Sequence, residues 1–459
     1  MILQASDANR APWLPAQARG AGVIEPCATA LGKRVAQSTI IHRSSEAQAY
    51  NGGVRYGIIA DDLAGSCDVA GRLTLLGYRP IVYVSPVSGN RSLSSLPQGA
   101  VVIINTRSRD GSLREAVARA QVAARLLERS GAPVIYQKMD STLRGHWAEE
   151  MKSIARVIHP EHVFMCPAFP AQGRFVRDGH LRVLPGPYLD FGAFMEVREG
   201  LSLRARTQRR CGWEALEIPR CVLRRGPRAI RAEVLAGTGT DCVVFDAARD
   251  ADLQAMGRAF RKSTARLLWV GSAGLVPYVI PPLFRPESAA CPRRRAPWLF
   301  IQGSQRALSR NQFLLFAQAR GVDAIEFSPI RGSKEKEDWC ARVIAALGMG
   351  RDVAVLAPEE FDVRVRTAFP RFLNSLLRAV LRHAELGGVF VSGGRTAEAV
   401  CDSLRVKALR VIEEVRPGIA ASLALDGRCP GLCLVTKAGG FGSPQEVREI
   451  LEEYVRARS

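Results

Sequence analysis

At 459 residues the chain exceeds one ordinary core, so two domains of about 200 residues each are expected. Hydrophobic content of 47% with 24% charge is that of a globular protein, and no run approaches the roughly 20 apolar residues of a membrane helix. The formal charge of +20 suits small anionic substrates, whereas its scattered arginines, and a densest patch (Leu201 to Arg231) without aromatic interleaving or zinc spacing, argue against a nucleic-acid module.

Residues 1–53 show no sustained period. Glu25 and Pro26 separate their two short apolar stretches, so no signal peptide is read, and a poorly ordered extension is expected. The eleven cysteines are spread without CxxC pairs, and the close pair Cys429 and Cys433 has no histidine near it to complete a zinc set. Scattered single thiols fit a reducing cytoplasm.

The ordered chain is expected to open with a buried strand, Tyr56 to Ala60, then Asp61-Asp62 and a helix that stops at Gly77. Adjacent carboxylates at a strand end repel each other unless a metal, a substrate hydroxyl or an arginine binds them. Their bland role would be to cap the helix. A second unit follows: strand Ala100 to Ile104, the run Asn105 to Arg109, and a helix whose capping box is Ser112 with Glu115. The next strand, Ala132 to Tyr136, delivers Lys138-Met139-Asp140-Ser141-Thr142-Leu143-Arg144-Gly145, ahead of a helix from His146 to Ile158. An amine, a carboxylate, two hydroxyls and a guanidinium thus crowd a strand-to-helix turn, where an open parallel sheet places its ligands. Strand His162 to Met165 leads into Pro170-Ala171-Gln172-Gly173-Arg174 and then Asp178-Gly179-His180; strands Cys242–Phe245 and Leu267–Val270 continue the alternation. Strands alternating with helices predict an α/β fold with a doubly wound, mainly parallel sheet.

The proline- and charge-rich stretch 281–297 reads as a linker. A second α/β series follows, with strands Trp298–Ile301, Ala324–Phe327, Val353–Leu356, Val389–Val391 and Leu432–Val435. Three of them end in small-residue turns: Gly303-Ser304, Ser392-Gly393-Gly394-Arg395-Thr396, and Thr436-Lys437-Ala438-Gly439-Gly440-Phe441-Gly442. Glycine there lets backbone N–H groups approach an anion, the following helix adds partial positive charge, and Lys437 would supply a point charge to a phosphate. Together the turns predict a nucleotide site. It is not a Walker A site, since Gly32-Lys33 is followed by Arg34, and no GxGxxG follows the first strand. The last helix is expected to carry a capping box, Ser443 to Glu446, with Pro444 at its first position.

These motifs, Ala60 to Gly65, Lys138 to Gly145, Pro170 to Arg174 with Asp178 to His180, Gly303-Ser304, Ser392 to Thr396 and Thr436 to Gly442, resemble in their order the four-carbon acid sugar kinase family. Its members include 3-oxo-tetronate, D-threonate and D-erythronate kinases. The resemblance spans about residues 54–459 and implies two doubly wound α/β domains facing a central cleft, the first (54–280) for the sugar acid and the second (298–459) for the nucleotide. It implies ATP-dependent transfer of the γ-phosphate to the terminal hydroxyl of a four-carbon sugar acid, with ATP and Mg2+, in the cytoplasm. The partner is then a small acid, with neither nucleic acid nor membrane, and a homodimer is open as its assembly. By the same resemblance Asp61, Lys138, Ser141, Arg144, Gln172, Gly173 and Arg174 would hold the acid. Ser304, Gly393, Gly394, Arg395, Thr396, Gly439 and Gly440, with Lys437, would hold the nucleotide. Arg144 and Arg174 would clamp the substrate carboxylate, and Asp62 or Asp140 would accept the hydroxyl proton or help hold magnesium.

Some positions depart from the family's pattern. Its nucleotide turn reads Gly-Gly-Asp-Thr, whereas Arg395 stands in place of the acid and reverses the local charge. Its first motif carries Thr where Ala64 stands, and Phe175-Val176-Arg177 stray from its small polar run. A catalytically weakened or silent relative that binds sugar acid or nucleotide as a sensor is therefore the alternative to an active kinase, and a charge-driven nucleic-acid binder is a third reading.

Overall fold

Apolar runs bounded by turn residues become strands buried on both faces, the condition under which a parallel strand carries a continuous rather than alternating hydrophobic pattern. A computed structural model of the chain describes residues 56–85, 99–131, 133–184, 200–237, 239–283, 296–318, 322–327, 332–359 and 363–456. The expected N-terminal extension, and residues 284–295 of the expected linker, lie outside them. The first series comprises β1 (Tyr56–Ala60), β2 (Ile81–Tyr83), β3 (Val101–Asn105), β4 (Val134–Lys138), β5 (His162–Cys166), β6 (Arg174–Arg177), β7 (His180–Val183), β8 (Ala215–Ile218), β9 (Cys242–Phe245) and β10 (Leu267–Gly271). The second comprises β11 (Trp298–Gln302), β12 (Val322–Glu326), β13 (Asp352–Leu356), β14 (Gly388–Ser392), β15 (Ala408–Arg416), β16 (Ile419–Ala424) and β17 (Cys433–Lys437).

Both α/β halves have mainly parallel sheets, and they are joined edge to edge. Among the described residues the strand order is β12-β13-β11-β14-β17-β16-β15-β2-β3-β1-β4-β10-β5-β9-β8. The seam is antiparallel: β16 pairs with β17 and β15, and β15 pairs with β2, Leu409 opposite Val82. On either side of it the strands run parallel. Strands β6 and β7 form a separate hairpin.

Register places the chemistry. In the first half Ala60 lies opposite both Asn105 and Lys138, and Gly271 lies opposite Lys138 and Cys166. The segments that leave these five neighbouring strand ends therefore emerge at one edge. In the second half Gln302 pairs with Ser392, and Ser392 with Lys437, so the three glycine turns emerge together as well. This is the carboxyl edge at which open α/β sheets bind ligands.

Most expected strands differ from the observed ones by a residue or two at their ends, and two boundary differences have a clear physical basis. The strand read as Ala132 to Tyr136 runs from Val134 to Lys138, because Gln137 and Lys138, although polar, are buried and continue the parallel ladder. The last helix begins at Glu446, not Pro444. Glu446 still reaches back to accept a hydrogen bond from Ser443 N (3.0 Å), which is half of the expected box.

Candidate active site

Asp61 and Asp62 leave the end of β1, and both expectations for them hold. Asp62 caps the Leu63–Leu75 helix, its Oδ1 accepting from Gly65 N at 2.8 Å. The repulsion between the carboxylates is relieved by Arg109, which sequence reading passed over. Its Nε and Nη2 donate to Asp61 (2.7 Å each), its Nη1 donates to Asp62 (2.6 Å), and the same Nη1 lies 3.8 Å from Asp140. Burial opposes the charge on Arg109, but the three carboxylates outweigh it and hold the guanidinium well above its ordinary range.

The Lys138–Gly145 segment is folded on Asp140. Its Oδ2 accepts from Thr142 N (3.1 Å) and Arg144 Nε (2.9 Å), and its Oδ1 accepts from Arg144 Nη2 (2.6 Å). Burial pushes the Asp140 carboxyl up, yet Arg144 and Arg109 prevail and keep it well below the usual carboxylate range. A carboxylate so held is a weak proton acceptor, which, of the two parts expected of Asp140, favours holding magnesium over acting as a base. Arg144 commits Nε and Nη2 to Asp140 and borders the cleft as part of that ion pair. Lys138 lines the cleft and donates to Met139 O at 2.8 Å.

Arg174 is the more open guanidinium. It donates through Nη1 to Gln172 O, stacks 5.0 Å over the Phe441 ring, and has a buried Nε with no partner. Gln172 reaches across to the second half, donating to Pro417 O at 3.3 Å.

The glycine turns interlock so tightly that no side chain fits at several positions. A Cβ on Gly439 would lie 1.9 Å from Ser304 Oγ, one on Gly303 2.1 Å from Thr396 Oγ1, and one on Gly394 2.6 Å from Asp62 Oδ2. Gly393, at φ 110°, starts the Gly394–Leu404 helix in a conformation that favours glycine. The last of these approaches sets the helix N-terminus, with its partial positive charge, against the carboxylate pair of the first half.

One cleft of about 1220 Å³ runs between the two sets of loops. Of the residues expected to hold the acid or the nucleotide or to act on the hydroxyl proton, only Lys437 does not line it. That lysine is fully buried beneath its turn and donates to Ala438 O at 3.0 Å; burial lowers it to about 7. The amine expected to meet a phosphate is thus set into its own turn and not presented to the cleft.

The loop after β3 is the part the sequence reading missed. Asn105 donates to Glu398 (2.9 Å), Arg107 grips Asp402 through both Nη atoms (2.8 and 2.7 Å), and Asp110 accepts from Arg395 Nε (2.7 Å). All three partners sit on the Gly394–Leu404 helix. Arg395, the reversed charge of the nucleotide turn, is thus tied across the cleft to the first half. An unbroken run of polar residues, Asn105 to Asp110, at the end of a buried strand was the available signal.

Among the described residues no group of three or more His, Cys, Asp or Glu side chains is arranged to hold a metal. No described helix is long and apolar enough to cross a membrane.

Comparison with known proteins gives a consistent picture. Residues 56–279 match the family model of a sugar-binding N-terminal domain, and residues 299–446 that of a nucleotide-binding C-terminal domain. The chain is 31% identical to a D-threonate kinase of Cupriavidus necator over 84% of its own length and 94% of that protein's. It is 26% identical to a 3-oxo-tetronate kinase of the same organism (86% and 96% covered) and 26% identical to a D-erythronate kinase of Heliobacterium modesticaldum (84% and 94%). A solved protein from Salmonella typhimurium LT2 shares the fold with a TM-score of 0.72 at 19% identity, over 87% of this chain and 99% of that one.

Proposed function

The chain belongs to the four-carbon acid sugar kinase family, a family of phosphotransferases, and we propose that it transfers the γ-phosphate of ATP to the terminal hydroxyl of a four-carbon sugar acid of the threonate, erythronate or 3-oxo-tetronate type. The observation that carries this reading is the cleft between an arginine- and lysine-lined wall and three interlocked glycine turns. Phosphoryl transfer needs positioning and charge neutralisation more than covalent chemistry, and a cleft between two lobes supplies both while excluding water.

In this reading Arg174, whose buried Nε lacks a partner, receives the substrate carboxylate, and Lys138 adds positive charge beside it. Asp61, Asp62, Asp140 and Arg144, locked together through Arg109, form the rigid wall against which the acid is oriented. Backbone N–H groups of the Ser304, Gly394 and Gly439–Gly440 turns face the phosphates. Magnesium is usually held by one or two carboxylates together with nucleotide phosphates, not by a protein cage, and Asp62, packed against the Gly394 turn, is the residue that fits that part. The metal would supply neutralisation of phosphate charge. The scattered free thiols support work in a reducing cytoplasm.

A second reading rests on one observation, the Arg395–Asp110 ion pair that replaces an acid at the nucleotide turn. Coupled ADP release with threonate, erythronate and 3-oxo-tetronate separates the two. Turnover on one of these acids is expected; ligand binding without turnover on any of them would instead identify a silent binder. For such a binder, Arg395→Asp would restore ATP affinity or rate by tenfold or more, whereas an active kinase gains little from it.

A further inference from the structure

Two of the carboxylates in the cleft are already committed: Asp62 to its helix cap and Arg109, Asp140 to Arg144 and Thr142. A third, Asp68, is not. It stands on the second turn of the Leu63–Leu75 helix, lines the same cleft, and is 5% exposed. Its Oδ1 is buried and has no hydrogen-bond partner. The backbone amide of Gly418, in the β15–β16 turn of the nucleotide half, favours the charge on this carboxylate, and the Leu63–Leu75 helix that carries it packs on β15 and β16, so Asp68 sits where the two halves meet. A buried carboxylate oxygen without a donor costs free energy, and such a group in a cleft calls for a ligand hydroxyl to complete it.

We propose that Asp68 is the general base of this kinase, its Oδ1 accepting the proton of the substrate's terminal hydroxyl. The assignment rests on the kinase reading above. In the step, the hydroxyl oxygen forms a bond to the γ-phosphorus while the bond from that phosphorus to the β–γ bridging oxygen breaks. The electron pair of the broken bond leaves with ADP, and the hydroxyl proton goes to Asp68. The groups around Asp68 fit the task. Arg72 and Lys138 favour its charged form, with Asp62, Glu414, Tyr136 and Cys67 as its other titratable neighbours. Burial raises its carboxyl above the ordinary range despite the two cations, which brings a base closer to the working pH.

The test uses the full chain with MgATP and whichever four-carbon acid the wild type turns over. Asp68→Asn is expected to lower kcat by about 10²- to 10⁴-fold, the usual contribution of a positioned base, with KM for the acid within about threefold and ATP binding in the absence of acid unchanged. The acid limb of the wild-type pH–rate profile should lie above the ordinary aspartate value of about 4 and should vanish from the residual activity of the variant. A kcat within tenfold of wild type, or an acid limb that survives the substitution, overturns the assignment while leaving the kinase reading intact. Should the variant not fold, the wild-type profile decides, since full activity down to pH about 4 also overturns it. A wild type inactive on every acid sinks the kinase reading itself, and this assignment with it.

Discussion

Two arginines that the sequence presents as equals carry very different weight. Arg109 serves three carboxylates from a side chain only 12% exposed, whereas Arg395 and Asp110 meet with 54% and 52% of their side chains in solvent. Removing one partner of a buried ion network leaves uncompensated charge and costs about 3–5 kcal/mol, but an exposed pair contributes only about 0–1 kcal/mol. Arg109→Met should therefore lower the urea-denaturation free energy by an amount in the first range at pH 7, and by less near pH 4, where the orphaned carboxylates take up protons. Arg395→Ala should change it by less than about 1 kcal/mol. Equal losses from the two variants would contradict this ranking. That Asp61 and Asp62 needed an arginine was legible from their adjacency; which arginine was not, because local spacing carries no information about a partner brought in by the neighbouring strand.

At the level of elements, legibility followed burial. Strands β1, β9 and β11 announce themselves as short apolar runs because both their faces are covered. The β15–β16 hairpin went unread although Pro417-Gly418 marks its turn. Its charged residues Arg410, Glu413 and Arg416 are only half-buried and the Glu414 side chain is buried, so they mix charge into strands that nonetheless join the sheet. Glu414, for one, lies 3.1 Å from Arg72 of the Leu63–Leu75 helix. The glycine turns were legible as turns, but not their mutual contacts. Gly439→Ala would drive a methyl group to within 2.8 Å of Ser304 Cβ as well as onto its Oγ. Calorimetric titration should show at least a tenfold loss of ATP affinity with acid binding retained. Gly440→Ala, at a position whose Cβ would meet nothing within 4 Å, should leave the melting temperature of the unliganded protein unchanged. If both variants bind ATP normally, the turns do not hold the nucleotide.

Across the whole molecule, the two α/β halves share one sheet through β2 and β15, and the halves are tied further by buried acids that no sequence window displays as such. Glu398 accepts from Asn105 across the cleft, and burial, opposed by that hydrogen bond, raises it to about 7. Glu414 at the seam is raised to about 7, again by burial against Arg72. Glu150, behind Asp61, is raised by burial to about 8. In the unfolded chain these groups titrate near the free glutamate value of about 4.3, so between that pH and 7 the folded protein holds protons that the unfolded chain has released. Their contribution to stability is therefore complete below about pH 4 and is lost as pH rises through 7, at up to about 1.4 kcal/mol per pH unit for each group. Two other groups act outside this window. Asp140, held low, withdraws stability only at more acidic pH, and Lys437, lowered to about 7, relieves its burial cost only as pH rises above 7. The denaturation free energy should consequently fall from pH 5 to pH 7, and a Glu150→Gln, Glu398→Gln, Glu414→Gln variant should show a flatter profile that crosses the wild-type curve. A wild-type stability that climbs over the same interval would mean that these acids are ionised in the folded protein, and that the junction between its halves is wetter than the packing around Asn105 and Arg72 requires.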